Sequence, residues 1–307
     1  MKLLMMTSAI LCMAISSCTK DKTDYKAEID TAVTEHLQFK EAARFVKDGY
    51  TIRINTLNGT FYKGYNEVRV TLEQGSSAVQ PEEVYCLPIF TDAQAQQTTG
   101  PHGYKLQQQV DSGYFSSYIV FTEESQVGGE WQLYMRFSIG GTTYRLNEPV
   151  QVVQQANKNL NMTRFTGSDG ELYVIALISP QKPRIAENQL VAGIYRFNRA
   201  IGTPAPAEFP DPEQFSYEVV QGYTLKLDPR MPEPSMGNHS SPNNEDLNQR
   251  DDGRYYGVVN YTMTGNWTLN FILLNQLGEA VKGTVVPNDF TPGVNGVKSE
   301  LYLDILF

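Results

Sequence analysis

Gly253-Arg254-Tyr255-Tyr256-Gly257-Val258-Val259-Asn260-Tyr261-Thr262 and, after a short turn, Trp267-Thr268-Leu269-Asn270-Phe271-Ile272-Leu273 decide the fold, because the chain carries this pair of segments twice. The earlier copy reads Gly113-Tyr114-Phe115-Ser116-Ser117-Tyr118-Ile119-Val120-Phe121-Thr122, then a turn and Trp131-Gln132-Leu133-Tyr134-Met135-Arg136-Phe137. Both tryptophan segments place apolar residues at every second position, the signature of a strand with one buried face. Trp131, Leu133, Met135 and Phe137 share one face, and Trp267, Leu269, Phe271 and Leu273 share the matching one. The chain has only 2 tryptophans. Their coincidence within the repeat marks both as expected core residues.

The likeness extends outward in both directions. Arg44-Phe45 ahead of Asp48-Gly49 is echoed by Arg164-Phe165 ahead of Asp169-Gly170, each reading as a hairpin that turns at Asp-Gly. Tyr65-Asn66-Glu67-Val68 matches Glu187-Asn188-Gln189-Leu190, and Tyr85-Cys86-Leu87 matches Tyr223-Thr224-Leu225. Val150-Gln151-Val152-Val153 closes the first copy, as Leu301-Tyr302-Leu303-Asp304-Ile305-Leu306 closes the second. Short runs rich in Val, Ile, Tyr, Phe and Thr are punctuated by Asn58-Gly59, Gly128-Gly129, Gly140-Gly141 and Gly265-Asn266. No helical period is sustained, and 24–46 leaves room for one short helix at most. The fold expected is all-β: two tandem immunoglobulin-like β-sandwich domains, residues 37–155 and 156–307, with about seven strands each and no internal disulfide. The Pro-rich stretch 202–212 reads as a surface loop of the second copy.

The N-terminus carries an address. Lys2 is followed by an apolar run, Leu3 to Ile15, that is too short for a stable membrane span. It reads as a secretory signal peptide over 1–17. The run ends in Ile15-Ser16-Ser17-Cys18, which resembles a bacterial lipobox, with a polar tether following over 18–36. Small residues ahead of the thiol admit a signal peptidase, and acyl chains on Cys18 would anchor the chain to a membrane. A plain cleaved signal with an incidental cysteine is the competing reading. The localisation expected is a bacterial cell envelope, on the outer membrane or a periplasm-facing membrane. Of the 3 cysteines, Cys12 falls in the signal and Cys18 at the anchor. Cys86 is left alone in an apolar run, where it reads as a small buried hydrophobe.

Composition narrows the function. The 307 residues hold 25 Lys+Arg against 34 Asp+Glu, a formal charge of −9, which excludes a basic nucleic-acid footprint. Histidine occurs 3 times, at His36, His102 and His239. No Ser/His/Asp order, phosphate-binding glycine loop or zinc-protease motif accompanies them, so the chain reads as a non-enzymatic protein. The acidic residues Glu245-Asp246 and Asp251-Asp252 fit no calcium loop and read as a solvated face.

One loop carries candidate ligand chemistry. Met231-Pro232-Glu233-Pro234-Ser235-Met236-Gly237-Asn238-His239-Ser240-Ser241-Pro242 precedes the second Gly-x-Tyr and Trp strand pair. This arrangement resembles the YtkA-like/FixH-like family of small exported or membrane-tethered β-sandwich modules. The resemblance covers most of the second copy, and it departs in its Met-Pro-Glu-Pro-Ser-Met spacing and in Asn238 between glycine and histidine. Some members are associated with copper handling or with assembly of copper-containing oxidases, so the resemblance implies copper as the one cofactor to expect.

The residues themselves allow it. Thioethers and imidazole suit Cu(I), and Met231, Met236 and His239 share a Pro-stiffened loop, with Met263 a further candidate near the Gly265-Asn266 turn and Trp267 beside them. In the first copy Ala93, Thr98, His102 and Glu123 read as the counterparts of Met231, Met236, His239 and Met263. Zinc fits less well, since Cys and multiple His are absent. Against copper stands the reading that the methionines plug the core and His239 bonds the loop. The protein is then an interaction lipoprotein whose sandwiches bind another envelope protein or a glycan.

Overall fold

The computed structural model describes residues 38–125, 128–199 and 209–307. The signal peptide, Cys18, the tether up to residue 36, and His36 lie outside the described residues. The first half contains β1 (Phe39–Lys47), β2 (Tyr50–Leu57), β3 (Phe61–Tyr62), β4 (Gly64–Gln74), β5 (Ser77–Val79), β6 (Glu83–Asp92), β7 (Gln97–Thr98), β8 (Gln107–Gln109), β9 (Tyr114–Phe121), β10 (Gly129–Ile139), β11 (Thr142–Val150) and β12 (Val152–Val153). The second contains β13 (Met162–Thr166), β14 (Leu172–Ser179), β15 (Ala186–Asn198), β16 (Ser216–Val219), β17 (Thr224–Met231), β18 (His239–Ser240), β19 (Glu245–Gln249), β20 (Tyr255–Tyr261), β21 (Asn266–Leu274), β22 (Ala280–Lys282) and β23 (Leu301–Leu306). Helical structure among the described residues is confined to short 3-10 turns. Residues 39–46, within the stretch that left room for a helix, are strand.

The all-β expectation holds, and the strand ladders fit two sandwiches. In the first half one layer runs β1-β2-β4-β9-β8 and the other β11-β10-β6-β7. In the second half the corresponding strands follow the same order, but β19 pairs with both β20 and β17, joining the two layers along one edge into a single 11-stranded sheet. The first hairpin turns at Asp48-Gly49, both with positive φ (48° and 83°), the two-residue geometry that matches strand twist.

Trp131 and Trp267 are fully buried, one in each core. Burying an aromatic of this size removes the largest apolar area available from one residue. A third cluster lies between the halves, where Tyr65 and Val120 of the first pack against Val174, Ala176, Val191 and Tyr195 of the second. Tyr118 stacks on Tyr65 and on Tyr195, each at 5.7 Å between ring centroids. The connecting chain is pressed into this seam: Tyr65 N–H donates to Leu160 O at 3.0 Å. Gly64, at φ +104°, brings its Cα so close that a Cβ would stand 2.1 Å from the same oxygen, so only glycine fits.

Candidate functional site: the loop end of the second sandwich

The Met/His loop leaves the core at Met231, the last residue of β17, and returns at His239, the first of β18. The two are direct cross-strand partners. The reversal between them uses a 3-10 turn, Pro234–Met236, then Gly237 and Asn238, both left-handed at φ 63° and 53°. Met231 is fully buried in the second core, and Met236 and Met263 pack against that same core. The His239 ring meets the Trp267 indole edge-on at 6.0 Å, and its Nε2 lies 2.9 Å from Thr262 Oγ1. Trp267 Nε1–H donates to Met263 O at 3.0 Å. Met231, His239 and Met263 therefore lie beside one tryptophan, and Met236 packs elsewhere on the same core. Tyr261 packs on the same indole at 5.4 Å. Its buried hydroxyl has no hydrogen-bond partner, and burial pushes its pKa far above the ordinary phenol value.

The first copy corrects part of the sequence alignment. Trp131 Nε1–H donates to Glu123 O at 2.9 Å, as Trp267 does to Met263, so Glu123 and Met263 do correspond. On the neighbouring strand, however, Phe90 stands opposite Trp131. Met231 comes one step after the Arg230–Thr268 pair, which sets it against Trp267. Phe90, not Ala93, is thus the counterpart of Met231, and the pairing of Tyr85-Cys86-Leu87 with Tyr223-Thr224-Leu225 is three residues out of register. Thr98 faces Phe90 as His239 faces Met231. Thr98 therefore answers His239 rather than Met236.

His102 belongs elsewhere. It bridges to Ile119, and its Nδ1–H donates to Gly100 O at 2.9 Å. Desolvation holds its pKa down at about 4.

A feature not drawn out in the sequence reading adjoins the loop. In the first half β11 runs unbroken along β10, from Trp131–Val150 to Ile139–Thr142. In the second half the equivalent edge is split into β22 and β23, and residues 283–300 leave the sheet between them. This excursion is tied to the Met/His loop. The buried Arg230 side chain holds Asp228 through two bonds and donates to Asn288 Oδ1 at 2.6 Å. Asn238 Nδ2 donates to Pro287 O, Gly296 N–H donates to Pro232 O, and the Phe290 ring lies against Gly237. The excursion nonetheless shows apolar side chains to solvent: Val285 is 83% exposed, Val297 61%, Val294 55% and Phe290 44%. Single exposed apolar residues are ordinary, and here four of them fall within one anchored excursion of the chain.

Among the described residues no three His, Cys, Asp or Glu side chains come together to hold a metal ion. The acidic residues of the 245–252 stretch serve local structure, Asp246 accepting from Leu227 N–H and Asp252 from the Tyr256 hydroxyl. Cys86 is buried, and desolvation pushes its thiol up to about 12.

No protein-family model matches the chain, and no curated protein matches it. Solved structures with similarity include FdeC, a broadly conserved Escherichia coli adhesin, at 9% identity over 76% of this chain and 72% of that one, with a TM-score of 0.20. A conserved domain protein from Bacillus anthracis is 10% identical over 90% of this chain and 93% of that one, with a TM-score of 0.25. Superpositions this loose carry no argument about function, and the sandwich assignment stands on the strand ladders of the chain itself.

Proposed function

We propose that this protein is a non-enzymatic interaction module of a bacterial cell envelope, held at a membrane by lipid on Cys18, and that another envelope protein docks on the loop end of its second sandwich. The observation that carries this reading is the 283–300 excursion: it is present in one copy of the repeat, fastened to the Met/His loop, and shows Val285, Phe290, Val294 and Val297 to solvent. Burying four such side chains supplies a hydrophobic centre of the kind interfaces are built around. A Val285→Asp/Val297→Asp variant should fold as the parent does and lose its partner. A Cys18→Ala variant should lose its acyl mass and leave the membrane fraction. Unchanged co-purification in the first, or retained acyl mass in the second, would contradict the corresponding half of the proposal.

A second reading is favoured by the placement of Met231 across from His239, with Met236 and Met263 packed against the same core. These are soft, uncharged donors that suit Cu(I), and membership of the YtkA-like/FixH-like family would agree with it. His239 Nε2 is engaged by Thr262, which leaves Nδ1 as its donor. Titration of the mature protein against a Cu(I) competitor should show binding that a Met236→Ala/His239→Ala variant lacks. Equal competition by the two would leave Met231 as what Phe90 is in the first copy, a core residue under the tryptophan.

A further inference from the structure

We infer that the outer face of the β6/β10/β11 layer in the first half is a binding surface for an acidic polysaccharide. The register places Lys105 beside Tyr85, Tyr85 beside Arg136, and Arg136 beside Arg145. Four neighbouring chain segments therefore contribute one row across the sheet, three of its four residues cationic, spanning about 14 Å at the usual interstrand spacing. Arg136 and Arg145 stand directly opposite one another, an arrangement that costs stability. Among the described residues neither forms a salt bridge with a carboxylate, although the chain has a formal charge of −9.

The groups around the row leave its charge largely uncompensated. The Arg136 guanidinium lies over the Tyr85 ring at 4.1 Å, and Tyr104 packs on that ring at 5.0 Å. Glu83, one row away, bonds Lys105 at 2.5 Å. Glu82 accepts from Gly141 N–H at the hairpin end. Next to the row on its other side the face is partly covered, Leu87 and Ile89 being buried and Phe209 of the second half meeting the Tyr134 ring edge-on at 5.5 Å. At its rim Tyr134 and Asn147 both donate to Gln132 Oε1, which leaves the Gln132 amide protons and the Asn147 carbonyl for hydroxyl groups.

This pattern selects the ligand. Two guanidinium forks match carboxylates bidentately, and the amides match sugar hydroxyls. The row crosses the strands, so a peptide adding to the free edge of β11 would meet only Arg145. A chain lying along the row meets two guanidinium groups and an ammonium from three different segments, which suits a polymer recognised by charge and hydroxyls. The inference is independent of the docking reading, because none of its residues belongs to the 283–300 excursion.

The test uses the full chain in detergent and polygalacturonate, which bears one carboxylate per sugar, with neutral dextran and poly-glutamate as comparators. Polygalacturonate should bind, weaken as salt rises through about 0.15 M, and exceed both comparators. Arg136→Gln/Arg145→Gln should weaken binding at least about tenfold, and Arg136→Lys/Arg145→Lys should recover part of it. Glu83→Gln, which frees Lys105 and leaves the arginines alone, should tighten binding and guards against a folding defect in the double variant. The inference is overturned if polygalacturonate does not bind, if poly-glutamate binds as tightly, or if the glutamine variant folds and binds undiminished. Glu83→Gln without effect would remove Lys105 from the surface and overturn the row as its unit.

Discussion

Asn66 and Asn188 make the same three hydrogen bonds in the two halves. Asn66 Nδ2 donates to Tyr62 O and Gly64 O at 2.6 and 3.0 Å, and its Oδ1 accepts from Tyr62 N–H at 2.9 Å. Asn188 Nδ2 donates to Arg184 O and Ala186 O at 2.8 and 2.7 Å, and its Oδ1 accepts from Arg184 N–H at 3.1 Å. Each amide closes the chain as it enters the long strand of its layer, β4 or β15, and each is buried. Asn188→Ala should therefore cost about 1–3 kcal/mol, the penalty for leaving buried polar groups unpaired. Asn188→Asp should not recover it, because a carboxylate cannot donate to the two carbonyls. Urea unfolding of both variants checks this, and a neutral Asn188→Asp would contradict it.

The two tryptophans should be matched in weight. Each is fully buried, and each donates its indole proton to a backbone carbonyl of the preceding turn. Trp131→Ala and Trp267→Ala should each cost about 3–5 kcal/mol, as large aromatic truncations in a core do. Denaturant midpoints measure this, and a loss below 1 kcal/mol, taken as about one ordinary hydrogen bond, at either site would contradict it.

The seam should make the halves unfold together. Half-buried Tyr118 stacks on buried Tyr195 between the sandwiches, with Val174 and Ala176 in the same cluster. A Val174→Asp substitution puts a carboxylate where the seam shuts out water, which costs stability. Calorimetry should turn one cooperative transition into two, and a Tyr118/Tyr195 double-mutant cycle should show about 0.5–1.5 kcal/mol of coupling. Two transitions already present in the parent would count against the seam.

Acid should weaken the first half through His102. Its folded pKa is held down at about 4, against an ordinary 6.5, by desolvation. Above 6.5 the ring is neutral in both states and contributes no slope. As pH falls from 6.5 toward 4 the unfolded chain binds a proton that the folded chain refuses, so stability declines, and the decline from this group ends below about 4. A His102→Asn variant should show a shallower fall over that window. An imidazole titration near 6.5 in the folded protein, followed by NMR, would contradict the assignment.

The sequence showed the repeat and its cores because alternation along β10, β20 and β21 is a local signal, and one buried face fixes its register. It failed along β6 and β17, where loop lengths differ between copies, so Ala93 rather than Phe90 was set against Met231. The seam was legible in principle: Leu172-Tyr173-Val174-Ile175-Ala176-Leu177-Ile178 is apolar without alternation, because Tyr173, Ile175 and Leu177 face the core while Val174, Ala176 and Ile178 face the first half. The excursion was harder to see. Pro287, Gly293 and Gly296 read as ordinary loop, and only the ladders show that it interrupts a strand that its sister copy keeps whole. The closeness of Met231 and His239 followed from the short loop that joins them, whereas the burial of Met231 depends on its step beside Trp267.

Docking at the excursion is tested most directly by a photo-crosslinker placed at Phe290 in the lipidated full chain, with a second at Val46, an exposed apolar residue of the first half at 65%. After illumination in the native envelope, mass spectrometry should find one defined protein adduct from position 290 that is absent from position 46. That adduct should disappear when Val285→Asp and Val297→Asp are added to a chain whose melting curve is unchanged. The same adducts from both positions, or an adduct from position 290 that survives the two substitutions, would contradict the account.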